Sequence, residues 1–398
     1  MGLTTTYRPK LDRVRAGVGS STDPDGVRAG HEAARAAMAS LKGHPADLVL
    51  VVASVRYDLQ AMLRAINAVT ENAPLVGATS SGHMHRGELT EPGEGLAVLA
   101  LAGGGYEFGI GRADGARTQA RSAGRDLTRA ALAAVGERQE YETLLVLSDG
   151  LAGDQQELIN GIHQVAGFAV PVIGGLAGDD RRLEQTFVFE GDDVLTDAAV
   201  AVWIGSPRPL RVVCQHGWHP TGLPLMVTSV DGQMVREIGG RPAIEVYRDH
   251  FVHDNPDDQI ETGREGGYHS AHAFGLIQPD GSLLIRGAFQ DDNGSLFTFT
   301  PLPLYSAVQV MSSGVDDLLA VGVDTVATAV AEKDAGVVLV FDCVARLDIL
   351  AEHGRAEAAA LQAAAGTIPT FGFYTYGEFA RTTGVAGYHN ATIAAIAL

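Results

Sequence analysis

The chain has 398 residues, of which 46% are hydrophobic, and its 48 acidic and 29 basic residues give a net charge of -19. This apolar content can bury a large core and excludes global disorder, while the negative charge excludes nucleic acid and membrane surfaces as expected partners, because both would repel it. Two cysteines are too few for a secreted disulfide framework, and with no apolar signal core or run of about 18 apolar residues we expect a cytoplasmic protein.

The first predicted unit begins with a short strand at 14–19 and a helix at 27–41. Residues 48–52 are all apolar, which is typical of a strand covered on both faces, as in parallel sheets. A helix at 59–69 then leads to a Pro-led strand that breaks into a glycine turn after Leu75. The apolar run at 95–102 closes this unit.

The same order of elements recurs twice. The second copy has apolar strands at 143–150, 170–180 and 198–205, and the third has them at 336–346, 368–379 and 388–398. This periodicity predicts an α/β fold of three pseudo-repeated strand-helix-strand-helix-strand-strand units with mixed sheets. We expect an N-terminal domain at 14–205 with two units, and a C-terminal domain at 206–398 with the third unit at 307–398.

A strand-rich insert is expected at 206–306, between the second and third units. Its DG and NG pairs lie between apolar runs, a pattern that indicates antiparallel hairpins.

Six motifs resemble those of one known family. They are VGATSSG from Val76, LSDGLAGDQQELINGI from Leu147, VPVIGGLAGDD from Val170, FDCVAR from Phe341, GFYTYGEF from Gly372 and GYHNATI from Gly387. Together they resemble the FIST proteins over about 14–398, with the first three motifs in the N-terminal half. Ala391 departs from the family pattern, which usually has Gln or a similar residue there.

The resemblance implies a function and partners. FIST domains are regarded as sensory, ligand-binding modules beside signalling proteins, with amino acids suggested as ligands. It therefore implies a small polar ligand such as an amino acid or carboxylate, and a signalling partner such as a histidine kinase or a cyclic-dinucleotide enzyme. Some members are haem-dependent nitric oxide sensors, so a haem or redox sensor is an alternative.

Polar side chains follow the strands of each unit, at the edge where ligands bind in open α/β sheets. If the units surround a pseudo-threefold axis, these side chains line one cleft whose N–H groups, arginines and carboxylates suit a zwitterion. The alternative is that the glycines only make tight turns and that Arg346 pairs with Glu378. The candidate ligand-binding residues are Arg56, Ser80, Ser81, Ser148, Asp149, Asp179, Cys343, Arg346, Tyr376, Glu378, His389 and Asn390.

Two further kinds of site stay open. A Cys343–His389 or Glu378–His389 pair would suit an enzyme acting on a small carboxylate or amide, although we assign no catalytic residue. Paired histidines three residues apart in the insert would suit a metal or an axial haem ligand, but no CxxC or HExxH motif supports them. These weak candidates are His216, His219, His250, His253, His269 and His272.

Overall fold

The computed structural model describes residues 13–251, 272–290, 295–331, 335–381 and 387–398. Three of its helices begin at Asp25, Asp58 and Asp154, whose carboxylates accept hydrogen bonds from backbone N–H groups of the first turn. None of the helices in these ranges is both long enough and apolar enough to cross a membrane. The helices are α1 Gly26–Ser40, α2 Leu59–Val69, α3 Ala120–Ala134, α4 Gln155–Ala166, α5 Ala243–Phe251, α6 Val315–Ala329, α7 Val344–Leu350 and α8 Gly354–Ala365, with a 3-10 turn at Ala351–His353.

The strands fall into the three predicted units and the insert. Unit 1 contains β1 Val14–Ser21, β2 Leu48–Ala53, β3 Leu75–Thr79, β4 His83–His85, β5 Glu88–Thr90 and β6 Leu96–Gly103. Unit 2 contains β7 Glu107–Asp114, β8 Tyr141–Ser148, β9 Val172–Leu176, β10 Val188–Glu190, β11 Asp193–Leu195 and β12 Ala198–Ser206. Next come β13 Val212–Gln215, β14 His219–Pro220, β15 Leu225–Asp231, β16 Met234–Ile238, β17 Arg241–Pro242, β18 His272–Ile277, β19 Leu283–Gln290, β20 Leu296–Thr298 and β21 Ala307–Ser312. The last strands are β22 Val338–Cys343, β23 Thr370–Thr375, β24 Glu378–Arg381, β25 Tyr388–His389 and β26 Ile393–Ala397.

Three six-stranded sheets share one strand order, and this confirms the predicted α/β class with mixed sheets. The orders are β1-β6-β2-β3-β10-β11, β7-β12-β8-β9-β24-β25 and β13-β26-β22-β23-β4-β5. Each sheet therefore consists of four strands of one unit and a two-stranded hairpin from another unit. The β10–β11 hairpin of unit 2 joins the sheet of unit 1, and the β24–β25 hairpin of unit 3 joins the sheet of unit 2. The β4–β5 hairpin of unit 1 joins the sheet of unit 3. We call this arrangement the cyclic hairpin exchange.

A glycine marks the same position in the three sheets. Gly77, Gly174 and Gly372 each lie beside a valine of the parallel neighbouring strand. A Cβ on these glycines would lie 2.2, 1.8 and 2.3 Å from the carbonyl oxygen of that valine, so no other residue fits. In the sequence, each of these glycines follows a proline that precedes the strand. The close approach of two backbones requires glycine at this position.

Side-chain alternation gives the sheets two buried faces. In β2, Leu48, Leu50 and Val52 face a central core shared by the three sheets, whereas the intervening residues face helices. The helix pairs α1/α2, α3/α4 and α6/α8 cover the outer faces of the three sheets. Burial on both sides explains why this strand is apolar throughout.

The insert forms a closed barrel. Strand β21 pairs with both β15 and β18, so that β15, β16, β20, β19, β18 and β21 form a continuous ring. The DG pairs at Asp231 and Asp280 lie in hairpin turns, as predicted. Helix α5 packs its Val246 and Tyr247 into the barrel core.

Two strands near the barrel have roles that differ from the sequence interpretation. Val212–Gln215, within the expected insert, is the edge strand of the third core sheet, and Ala307–Ser312, expected to open the third unit, belongs to the barrel. Both are short apolar strands before α6, and periodicity does not encode which of them pairs with the last strand of the chain. The domain boundary between residues 205 and 206 remains a proposal.

Candidate functional site

In each unit, one segment crosses from the unit's own sheet to the hairpin that joins a neighbouring sheet. These three crossing segments connect β3 to β4, β9 to β10, and β23 to β24. Their backbones are hydrogen-bonded in a ring, with N–H to O distances of 2.9 Å for Gly178 to Thr79, 3.0 Å for Ser81 to Tyr374, and 3.3 Å for Tyr376 to Leu176. The loops therefore surround a pseudo-threefold axis. We call this ring the central junction, and it brings together four predicted site residues: Ser80, Ser81, Asp179 and Tyr376.

The central junction is occupied by the protein's own groups. Asp179 accepts hydrogen bonds from the backbone N–H groups of Leu183, Glu184 and Gln185 at 2.9, 2.6 and 2.9 Å, and from the hydroxyl of Tyr376. Burial, followed by the negative charge of Asp179, raises the pKa of Tyr376, so the phenol remains a donor. Asp179 thus organises a loop.

Three other predicted residues lie outside the junction. Asp149 binds elements of its own unit, accepting from Thr186 and from the N–H of Asp197 at 2.7 Å. The neighbouring Ser148 is fully buried. Arg56 is exposed and donates to the backbone carbonyls of Thr22 and Gly93, which fixes the loop after β2.

Arg346 lies on the helix side of the third sheet. It donates to Asp342 at 2.6 Å and to Glu357 at 2.5 Å, and all three side chains are fully buried. Burial lowers the pKa of Arg346, but the two carboxylates raise it by more. Tyr374 completes this network by donating to Glu357 at 2.7 Å.

Glu378 lies on the opposite side of that sheet, so the expected cavity or ion pair shared by Arg346 and Glu378 is not formed. The reason is strand alternation: Asp342 shares a face with Val338 and Val340 beneath the helices, whereas Glu378 contacts residues of the inner face.

The Glu378 carboxyl is buried among hydroxyl groups. It accepts hydrogen bonds from the Thr375 hydroxyl and the Thr392 hydroxyl, both at 2.6 Å, and is fully buried. Burial raises the pKa of Glu378 to about 7, although these donors and the Cys343 thiol oppose the rise. Within the described ranges, no lysine or arginine forms an ion pair with it.

The surroundings of Cys343 and His389 do not activate a nucleophile. Burial, and next the nearby Glu378, raise the pKa of the Cys343 thiol well above its ordinary value. The Nε2 atom of His389 is 2.7 Å from the carbonyl oxygen of Ala380, and burial lowers the pKa of this imidazole to about 4. A reactive cysteine needs the opposite shift, toward the thiolate.

The segment Tyr388–Thr392 lies between the core and the barrel, in a contact that we call the seam. The Trp218 indole N–H donates to the Ala391 carbonyl at 2.9 Å, and Thr300 donates to the Asn390 side chain at 3.2 Å. The Asn390 amide in turn donates to the Tyr388 hydroxyl at 3.1 Å. The barrel therefore contacts the core at the GYHNATI motif, and also at Ala345 and Ile349 of α7.

Arg286 projects from β19 of the barrel into the seam and is 4% exposed. Its Nη1 atom donates to the carbonyl oxygens of Ile285 and Tyr388, at 3.0 and 3.5 Å. The sequence interpretation missed Arg286, together with Thr375 and Thr392. The two threonines lie within the quoted motifs, and the signal for Arg286 is a lone charge in the apolar strand LLIRGAF.

Two of the histidine candidates, His216 and His219, have their side chains in the described part of the chain. The Nδ1 atom of His216 accepts from the Trp218 N–H, and His219 is 3.4 Å from Asp317 at the surface. No group of three or more metal-ligating side chains occurs in the described ranges. His253 and His269 lie outside these ranges, as do the side chains of His250 and His272.

The ring nitrogens of buried His83 have no partner among the described residues. A void of about 10 Å³ lies in the central core among Leu50, Leu339 and Phe373, and it is no larger than one water molecule needs. A surface cleft of about 300 Å³ lies near Pro74, at the far end of β3 from the central junction. It contains none of the predicted site residues.

Family models match most of the chain: the FIST N domain at residues 47–241 and the FIST C domain at 243–381. FIST domains are sensory and signalling modules. The chain belongs to the FIST family, as the motifs indicated. The two models meet inside the barrel.

The chain is similar in sequence and length to mycobacterial proteins. The chain is 28% identical over 390 residues to Rv0628c of Mycobacterium tuberculosis, covering 95% of this chain and 98% of the relative. It is 28% identical over 395 residues to Mb0898c of Mycobacterium bovis, covering 95% and 97%. Among solved structures, a cyanuric acid hydrolase from A. caulinodans aligns with 96% of this chain and 99% of its own, at 10% identity and a TM-score of 0.35.

Proposed function

We propose that this chain is a sensory module that binds a small polar molecule, such as an amino acid or a carboxylate, at the seam between core and barrel. One observation carries the proposal: the family motif at Tyr388–Thr392 buries its polar side chains where the barrel contacts the core. Buried polar groups that connect two bodies respond to any molecule that competes for their hydrogen bonds.

A carboxyl group that contacts Thr392 of the seam is suited to a cation. The buried carboxyl of Glu378 is held only by hydroxyl, backbone and thiol donors within the described ranges, and its pKa of about 7 means that a small environmental change alters its charge. An ammonium group of a ligand would favour the ionised form. This supports an amino acid as the ligand class.

Signal output follows from the attachment of the barrel. The barrel is connected to the core through β14 and β21, which pair with each other, and it contacts the core at the seam. A ligand that binds one arrangement of the seam better than another shifts the population of barrel positions by its difference in affinity. A partner such as a histidine kinase or a cyclic-dinucleotide enzyme would recognise that change.

A binding screen tests this function. The full chain is titrated calorimetrically with free amino acids and small carboxylates, and thermal shift supplies a second readout. A ligand at a hundredfold excess over Kd stabilises the folded state by about 2.7 kcal/mol. In a chain of this size that is a rise in Tm of only a few degrees.

The variant Asn390→Ala locates the site. We expect it to bind the ligand at least tenfold more weakly, because it removes the amide that connects Tyr388 with Thr300. The matched control is Asn160→Ala, the same change in α4. Equal Kd values for both variants would contradict the seam as the site, and no binding by the wild type would contradict the sensory function.

A further inference from the structure

Arg286 is a buried arginine without a carboxylate partner among the described residues. Its Nη1 atom uses two backbone carbonyls, while its Nε–H has no hydrogen-bond acceptor in the described part of the chain. Burial lowers the pKa of this guanidinium to about 10. The charge is therefore held in the seam by neutral groups.

Arg346 provides an internal comparison. Both arginines are almost completely buried, but Arg346 has two carboxylates within 2.6 Å. A charge removed from water strongly opposes folding unless it is paired and hydrogen-bonded, and Arg346 meets that condition. Arg286 does not meet it, because no carboxylate of the described residues forms an ion pair with it.

The nearest described acid does not supply an anionic partner. Asp154 acts electrostatically on Arg286, but its carboxylate caps α4 by accepting from the N–H groups of Gln156 and Glu157. Tyr388 offers Arg286 its neutral backbone carbonyl, and burial keeps the nearby His389 imidazole neutral by lowering its pKa to about 4. An external anion would complete the site.

We propose that Arg286 binds the carboxylate group of a small organic acid through the free edge of its guanidinium. This proposal rests on the proposed function and names the chemical group that the seam recognises. The Nη1 atom already donates to two backbone carbonyls. The edge of the guanidinium that carries Nε is therefore the one that would bind a ligand. A planar fork of two N–H donors matches the two oxygens of a carboxylate.

The charge balance favours a carboxylate over a phosphate. One guanidinium faces neutral side chains, and the chain as a whole carries a net charge of -19. A dianion would have one cationic partner and would be repelled by the surrounding field. A single negative charge matches the site.

The test compares acids with their neutral amides in the full chain. After exhaustive dialysis, Tm is measured with acetate or propionate, with acetamide or propionamide, and with sodium chloride at equal ionic strength. We expect the wild type to gain Tm with the acids alone. In Arg286→Met this gain should disappear, and Tm without any acid should equal or exceed that of the wild type, because the uncompensated charge is gone.

Arg346→Met is the matched control, since it removes an arginine of equal burial that has carboxylate partners. Its Tm should fall far below that of the wild type. Arg286→Lys keeps the charge without the planar fork, and we expect about tenfold weaker binding of the acids in a folded protein.

Three results would overturn the assignment of Arg286: an equal acid-dependent gain in Arg286→Met, a gain for amides as large as for acids, or a loss of Tm in Arg286→Met as large as in Arg346→Met. If neutral compounds bind the wild type and Arg286→Met alike, sensory binding at the seam stands and the carboxylate assignment fails. If nothing in the screen binds the wild type, both fail.

Discussion

At the scale of single residues, two buried glutamates of this protein have different partners. Glu357 is ionically paired with Arg346, whereas Glu378 has hydroxyl and thiol neighbours and its pKa rises to about 7. A carboxyl group with a folded-state pKa above its unfolded value binds its proton more tightly in the folded protein. The proton therefore stabilises the fold, and ionisation opposes it.

We predict that Glu378→Gln changes how stability depends on pH. In the wild type, the Glu378 carboxyl contributes most to the free energy of unfolding below its unfolded pKa of 4.5. This contribution declines between pH 4.5 and about 7 and stays constant at higher pH. The decline is on the order of 3 kcal/mol, at 1.36 kcal/mol for each pKa unit. The variant should thus match the wild type near pH 5 and exceed it at pH 8.

Urea unfolding at a series of pH values measures this difference. Glu94→Gln, at an exposed position, serves as the control and should leave the pH profile of the wild type unchanged. Parallel profiles for the wild type and Glu378→Gln would show that the carboxyl does not titrate between the two pKa values.

The sequence did not indicate which face of the third sheet each polar side chain takes. Arg346 was expected to line the cleft or to pair with Glu378, but it pairs with Asp342 and Glu357 beneath the helices. Neither partner was predicted, because Asp342 lies in β22 and Glu357 comes from another helix, α8. Glu378 and Asn390 were predicted as ligand-binding residues, and that role stays a prediction.

At the scale of elements, the crossing segments hold the three sheets together. Gly178 lies where two of these segments touch, and a Cβ there would be 2.5 Å from the Ser81 hydroxyl oxygen and 2.8 Å from the Ser81 backbone nitrogen. A backbone neighbour cannot move aside as a flexible side chain does. The central junction therefore requires glycine for reasons of space.

We predict that Gly178→Ala destabilises the fold by about 1–3 kcal/mol, the usual cost of overpacking. Gly136→Ala is the control, because the nearest atom to its added Cβ, Glu107 Oε2, is 3.7 Å away. There the substitution should be neutral or stabilise by about 0.4–1 kcal/mol, since it restricts the unfolded chain. Denaturant unfolding checks both values, and equal stabilities would mean that the junction adapts to the methyl group.

The elements themselves were largely predictable, but their pairing was not. Apolar runs and Gly turns indicated the repeated strands, and DG pairs indicated the barrel hairpins. The hairpin exchange joins strands from different units, such as Met84 with Gly372, and no local pattern records that register. For the same reason the edge strand Val212–Gln215 was assigned to the insert.

At the scale of the whole molecule, the cyclic hairpin exchange makes the three units depend on one another. A fragment of residues 13–210 would lack the β24–β25 hairpin that completes the second sheet, and its own β4–β5 hairpin would have no sheet to join. The barrel differs, because its strands pair with one another and its chain ends meet at β14 and β21.

We predict opposite outcomes for two truncations. Replacing residues 219–312 by a short Gly/Ser linker should leave a core that unfolds cooperatively, because an inserted domain with adjacent ends can be removed. The fragment 13–210 should fail to unfold cooperatively. Circular dichroism during thermal denaturation distinguishes the two, and a cooperative transition in the fragment would contradict the interdependence of the units.

The hairpin exchange also sets the timing of folding during synthesis. The β4–β5 hairpin leaves the ribosome well before β23, the strand beside which it lies. The second sheet likewise cannot be completed before β24 has emerged. Until β23 emerges, Met84 and its neighbours stay uncovered, and such surfaces are prone to aggregate. The ring of three sheets therefore closes only after β23 and β24 have been translated, and a nascent chain of this protein depends on protection until then.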